Sequence, residues 1–373
     1  MRPLDGIVVL DLTRFFPGAV ATATLANFGA EVIKIEQPYS GDPARNIDGA
    51  SWLFAETNRG KKSVALNLKD ERGKRLFCRL VSTADVVIES FRPSVMRRLG
   101  IGYKDLCGLN KGLIYASLSG YGQNGRHAEL AGHDINYIAM SGVLDLISPA
   151  GGIPVIPEIQ VADIAGGASH VVVGILLALL AREKTGRGQR VDVSMVGALD
   201  GLLALPLAAL HSFKHPLKRG KELLSGAYAC YHPYRAKDNR WIVVGALEPK
   251  FWTNLCRQIQ CEDLIADQFS PEPRQRHVKQ RLSRIFKRRT AEQWFGLLRS
   301  IDCCVTPVRT LQEAVAERQF GTKTLAIGLA RTPGVLERTP APQVGQHSTE
   351  ILKRAGVTKA ELRVLRNAGV IAV

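Results

Sequence analysis

Aromatic residues are scarce in this 373-residue chain, at 6%, and cysteines number only seven. An odd set of thiols without zinc-ligand spacing supplies neither a disulfide framework nor a structural metal site, and predicts reduced thiols in a cytoplasmic protein. Cys303 and Cys304 are adjacent rather than spaced as Cys-x-x-Cys, so they read as small buried hydrophobes. No apolar run looks long enough for a bilayer: the longest, Val171 to Ala181, stops at Arg182. No signal-peptide core precedes the strand-like Gly6-Ile-Val-Val-Leu10, and Val370-Ile-Ala-Val373 is no peroxisomal address. No internal repeat is visible. Negative charge is also short, with 34 acidic against 50 basic residues and a net charge of +16. That excess would suit nucleic acid or a small polyanion. The basic residues are spread along the chain, without aromatic interleaving or a nucleic-acid module, which favours the small polyanion. The densest cluster, Arg274 to Arg289, reads as a solvated helix face.

What is present is length and alternation. At 373 residues the chain exceeds the usual single domain, and its 46% hydrophobic content can build sizeable cores. Over the first 120 residues strand-like and helix-like segments alternate. Ile7–Leu12, Glu31–Glu36, Ser63–Leu68, Asp85–Glu89 and Leu113–Leu118 read as strands, and Gly18–Gly29 and Lys69–Thr83 as helices. Such alternation implies βαβ units and a parallel sheet covered on both faces. A helix is predicted over Asp134–Met140, a long apolar one over roughly Ala165–Glu183, and a strand over Arg190–Met195. Beyond Pro206 the texture changes, with short strands at Tyr228–Tyr234 and Trp241–Gly245 around a turn at Lys237-Asp-Asn239. The expected organisation is an α/β fold: a Rossmann-like large domain over residues 1–200, a linker over 201–225, a smaller α+β domain over 226–328, and a return to the large domain over 329–373.

Four segments could carry chemistry. Gly120-Tyr-Gly-Gln-Asn-Gly125 satisfies G-x-G-x-x-G but sits after the wrong strand and opens no apolar helix, so it is a glycine-rich turn rather than a dinucleotide site. Asp163 precedes the long helix, where an aspartate usually serves as an N-cap. The glycine pair Gly166-Gly167 shifts that reading, because glycine is costly inside a helix unless something approaches closely. A carbonyl resting on the free N–H groups of the helix start would be such a thing. His133 lies at a second helix start and Glu248 after an apolar strand; alone, each has an ordinary structural explanation.

Together these segments resemble a family. Asn58-Arg-Gly-Lys-Lys-Ser63, Glu89-Ser-Phe-Arg-Pro93 with Arg98-Leu-Gly100, and Ser119-Gly-Tyr-Gly-Gln123 are similar to hallmarks of the family III CoA-transferase superfamily of the CaiB/BaiF type. So are Thr185-Gly-Arg-Gly-Gln189 and Cys304-Val-Thr-Pro307, and the resemblance runs from Leu4 to about Leu352. Within the superfamily, Leu130-Ala-Gly-His-Asp-Ile-Asn-Tyr137 and Gly245-Ala-Leu-Glu-Pro249 resemble the α-methylacyl-CoA racemases. The resemblance implies His133 and Asp163 as paired acid/base groups on the α-carbon of a 2-methylacyl-CoA, with Glu248 supporting the imidazole. It implies backbone amides near Asp163 for the oxyanion, and no cofactor beyond the coenzyme A of the substrate. In a transferase of the same fold, Asp163 would instead be the nucleophile that carries the acyl group. The CoA contacts implied are Arg98, Phe91 and Arg92, with Leu66 and Lys69. Gln37 stands where the family often has arginine, so a phosphate contact is expected to move to Lys34 or Arg45. Phe16 replaces the glutamine of formyl-CoA:oxalate transferases, which argues against oxalate as acceptor. An interlocked homodimer is implied, with no nucleic-acid or membrane partner.

Overall fold

The computed structural model describes residues 1–149, 151–213, 217–317 and 325–373. Residues 214–216 of the expected linker and 318–324 near the expected return lie outside this set. The chain divides into two compact units. The first holds Met1–Leu144, Ile156–Ala204 and Lys323–Val373, and the second holds Asp145–Val155 and Leu205–Thr322.

The first unit is built on a seven-stranded sheet. Strands β1 (Val8–Leu12), β2 (Glu31–Glu36), β3 (Lys62–Leu66), β4 (Val86–Glu89), β5 (Ile114–Ser119) and β6 (Arg190–Ser194) run parallel, in the order β3-β2-β1-β4-β5-β6. The sheet is not parallel throughout, because the C-terminal strand Ile371–Ala372 pairs antiparallel beside β3. Every residue of β4 and β5 is buried, as β-branched runs in a sheet covered on both faces should be. Edge strand β6 instead alternates Arg-Val-Asp-Val-Ser and stays partly exposed. One core joins Leu76, Phe77 and Leu80 of the helix Glu71–Val81 to Ile351, Leu352 and Leu365 of the C-terminal helices. The tail is therefore an integral part of this unit. Strand order reverses between β1 and β4, and at such a switch point the loops on either side diverge and leave a crevice at the carboxyl ends of the strands.

The long apolar helix starts earlier than its sequence suggests. A π-helical stretch, Val161–Ala168, runs directly into the α-helix Ser169–Thr185. The resulting 25 residues are long and apolar enough to cross a membrane by length and composition, unlike the Val171–Ala181 run considered alone. The helix packs against the sheet: a Cβ on Gly174 would meet Val191 Cγ1 at 2.7 Å, and Arg182 bonds Gly112 O (3.1 Å) and Asp85 (2.8 Å). Val173, Leu176, Leu177 and Leu180, spaced to share one helical face, remain exposed.

The second unit has an antiparallel sheet of β7 (Tyr231–Arg235), β8 (Trp241–Gly245) and β9 (Val305–Pro307). The β7–β8 turn falls at Lys237–Asn239, where Asn239 takes φ 61°. Helices pack on this sheet through Trp252, Trp294 and Phe286, the last stacked on Tyr234 at 5.1 Å between centroids. The basic helix Arg274–Phe286 buries Val278, Leu282 and Ile285 and turns its charges outward. Arg274 pairs with Asp267, Arg281 with Asp263 and Arg276 with Glu272. Much of the cluster is thus a solvated face with acidic neighbours.

Candidate active site

His133 and Asp163 stand at two helix starts held together by one hydrogen bond. His133 occupies the N-cap position of the helix Asp134–Ser141 in extended backbone, φ −125° and ψ 178°. Its backbone N–H donates to Asn136 Oδ1 (3.0 Å), while the imidazole is exposed. The next residue, Asp134, accepts at Oδ1 from the backbone N–H of Asp163 (2.8 Å). Asp163 is half-buried, and burial first, then the neighbouring Asp134 charge, pushes its carboxyl up to about 7. A carboxyl poised there can give or take a proton near neutral pH. Tyr137, on the first full turn of the His133 helix, closes one side of this site. Its hydroxyl donates to Gly132 O (2.6 Å), its ring meets Tyr121 edge-on, and burial followed by the nearby Asp163 raises its phenol to about 12.

Two expectations for this region need correction. Asp163 is not an N-cap: the helix begins at Val161, Gln160 holds the capping position, and Asp163 lies in the first turn. Nor is Asp163's own amide available to an oxyanion, since Asp134 takes it, and the N–H of Ile164 donates to Gln160 O (3.1 Å). The close approach that Gly166-Gly167 permits is made by the protein itself. A Cβ on Gly167 would meet Met195 Cγ at 2.8 Å and Leu118 Cδ1 at 3.2 Å, and one on Gly166 would meet Met195 O at 3.0 Å. The pair thus lets the helix carrying Asp163 sit directly on the end of β5 and the turn after β6. Gly120 has a similar reason, since a Cβ there would fall 2.4 Å from the Tyr137 ring. The segment after it makes turns until Asp134, which fits the glycine-rich turn rather than a dinucleotide site.

A cavity of about 510 Å³ opens at the carboxyl ends of β1, β2, β3 and β4 and spans the switch point. Four residues expected to hold coenzyme A line it: Leu66, Lys69, Phe91 and Arg92. Arg98 does not line it. It is exposed at the end of the short helix Val95–Arg98, and its Nη1 donates to Ser94 Oγ (2.6 Å). Glu89, at the end of β4, shapes this wall: it is buried, burial pushes its carboxyl up to about 7, and it accepts the N–H of Phe91 (2.8 Å).

Behind the cavity lies a buried charge network. Asp11 accepts from Thr13 Oγ1 (2.6 Å) and Thr22 Oγ1 (2.7 Å) and pairs with Lys61 (3.4 Å). Lys61 also donates to Asn58 Oδ1 (2.8 Å) and Ala19 O (3.0 Å), so the Asn58–Ser63 motif is a structural clamp for the β1–helix turn. Burial pushes the Lys61 ammonium down to about 8 although Asp11 opposes it. Lys34 is fully buried, pairs with Asp42 (2.8 Å) and donates to Thr13 O (2.9 Å). Burial works against its charge, but Asp11 and Asp42 outweigh it and raise the pKa. Arg45 grips Glu36 through two bonds (2.8 and 2.7 Å) and covers the Phe54 ring. Neither Lys34 nor Arg45 is therefore free for a phosphate, which overturns the expectation drawn from Gln37.

Glu248 belongs to the second unit. It is exposed, precedes Pro249 at the start of the helix Pro249–Gln258, and makes no side-chain capping bond. The exposed Cys304 is near enough that the Glu248 charge, after burial, helps raise the thiol's pKa. Sequence reasoning missed Asp134, although it lies inside the quoted Leu130–Tyr137 motif; its signal was the carboxylate directly following the histidine.

The model of the family described as CoA-transferase family III matches residues 4–350. Human α-methylacyl-CoA racemase is 34% identical over 99% of this chain and 97% of its own length. Human succinyl-CoA:glutarate CoA-transferase is 30% identical, covering 95% of this chain and 86% of its own. A probable fatty acyl-CoA transferase of Mycobacterium tuberculosis is 34% identical over 95% and 98%. The crystal structure of that mycobacterial protein superposes with a TM-score of 0.80 at 32% identity, covering 93% of this chain and 98% of its own. A CaiB/BaiF family protein from Brucella suis superposes at 0.79 and 26% identity, over 95% and 99%.

Proposed function

The chain belongs to CoA-transferase family III, and from that premise we propose that it is an acyl-CoA racemase inverting the α-carbon of 2-methylacyl-CoA thioesters. The observation that carries this reading is the joint between the His133 and Asp163 helix starts, with an Asp163 carboxyl that titrates near 7. Inversion requires one group to remove the α-proton from one face while another delivers a proton to the opposite face of the planar enolate. In one direction the Asp163 carboxylate takes the proton and His133, protonated, supplies the other; in the reverse direction the roles exchange. The thioester makes the enolate accessible, so proton transfer needs no metal or redox partner. The part given to Glu248, orienting the imidazole and raising its basicity, rests on the resemblance. Leu66, Lys69, Phe91 and Arg92 would seat the coenzyme, whereas a contact from Arg98 rests on the resemblance alone. A second copy covering the exposed Val173–Leu180 face is part of the proposal, and sedimentation should accordingly give twice the mass of the 373-residue chain.

The second reading is a CoA-transferase in which Asp163 forms a mixed anhydride with the acyl group. The transferase relatives favour it. Incubating the protein with a chiral 2-methylacyl-CoA in deuterated water, with and without a free carboxylate, separates the two. The racemase reading requires deuterium at the α-position with CoA still attached. Transfer of CoA to the free carboxylate without α-exchange would replace it with the transferase reading.

A further inference from the structure

The geometry points to Arg14 as the residue that takes over the phosphate contact absent at Gln37. This inference rests on the reading that the switch-point cavity holds coenzyme A. The cavity's charges can be sorted by what they already bind. Its carboxylates, Glu36 and Asp42, are committed to Arg45 and Lys34, so both partners are neutralised. The cations that remain free along the wall are Arg14, Lys69 and Arg92, none with a carboxylate partner among the described residues. Of these, Arg14 is distinguished by a ring contact of its guanidinium. Its guanidinium carbon lies 4.7 Å from the centroid of the Phe91 ring, and its backbone N–H donates to Ser90 Oγ (2.9 Å).

Those two contacts join the loop after β1 to the loop after β4 across the switch point. Glu89 stiffens the second loop through the Phe91 N–H. The first loop is bent at Phe15, which adopts φ 60°, a left-handed conformation that an aromatic residue rarely takes. Such strain persists only where surrounding structure imposes it, and it concentrates at ligand-binding positions. The result is an exposed guanidinium over an aromatic ring in the cavity wall, with no side-chain hydrogen bond among the described residues. Arginine so placed can hold a phosphate through two parallel hydrogen bonds, which a solvated lysine cannot reproduce.

The test compares an acyl-CoA with the same acyl group on pantetheine, which lacks every phosphate. Arg14→Ala should raise the KM for the acyl-CoA at least tenfold and move the KM for the acyl-pantetheine less than twofold. Arg14→Lys, keeping charge but losing the planar fork, should fall between wild type and Arg14→Ala. Thermal unfolding of both variants should stay close to the wild type, because the side chain is exposed and the bond to Ser90 is made by the backbone N–H, which both variants keep. If the wild type prefers acyl-CoA and Arg14→Ala keeps that preference within twofold, the assignment of Arg14 is wrong and the cavity reading stands. An equal rise in KM for both substrates also overturns it, since the effect would then not involve phosphate. If the wild type makes no distinction between the two substrates, the cavity reading itself fails.

Discussion

Replacing His133 with alanine is expected to slow inversion of the α-carbon by about a hundred- to ten-thousand-fold, the usual contribution of one acid/base group. The expected loss is chemical rather than structural. The imidazole is exposed and makes no capping bond, while the N-cap interaction runs from the backbone N–H to Asn136 and survives the substitution. The variant should therefore unfold at the wild-type temperature. Any transfer of CoA from the thioester to a free carboxylate, in which Asp163 is the nucleophile, should persist. The measurement is the configuration of the α-carbon, read by chiral chromatography, alongside a CoA-transfer assay on the same preparation. A folded His133→Ala protein with undiminished inversion would remove the histidine from the mechanism.

The strands of the large unit were legible because each buried parallel strand is a short apolar run between turn residues; Val86-Val-Ile and Ile114-Tyr-Ala need no partner information to be recognised. The start of the long helix was not. Val161–Ala168 winds as a π-helix, and its two glycines were read as room for an approaching carbonyl, when in fact they admit Met195 and Leu118 from elsewhere in the unit. Close packing of that kind depends on residues some thirty or more positions away, which local periodicity does not encode.

Charges were legible as a sum and not as pairs. The excess of basic residues suggested a polyanion, but a lysine in a β-strand pattern does not announce a buried ion pair. Lys34 alternates with apolar neighbours as any strand residue would, and only the loop carrying Asp42, folded back over it, removes it from the list of phosphate ligands. Arg45 is withdrawn in the same way by Glu36. Arg14 escaped notice for the opposite reason: it becomes a ligand candidate only when the fold lays it on Phe91, 77 residues later in the chain.

Asp163→Asn carries the other large effect and separates burial from catalysis. Both inversion and CoA transfer to a carboxylate should fall by at least about a hundred- to ten-thousand-fold, because an amide is neither base nor nucleophile. Stability should move the other way. Burial and the Asp134 charge raise the Asp163 pKa from 3.8 to about 7, so between those values the folded chain binds more protons than the unfolded one. Folding stability must then fall as pH rises through that window, and the cost is fully present above pH 7. Asparagine has no such cost. The variant should therefore exceed the wild type in stability above pH 7, and the gap should close as the pH drops toward 4. Asp134→Asn tests the cause directly. It removes the neighbouring charge while its side-chain oxygen can still accept the Asp163 N–H, so the Asp163 titration should shift downward. The limb of the pH–rate profile that reports Asp163 should move to lower pH with it. A limb that stays in place when Asp134 loses its charge would mean that Asp163 is not the group titrating in catalysis.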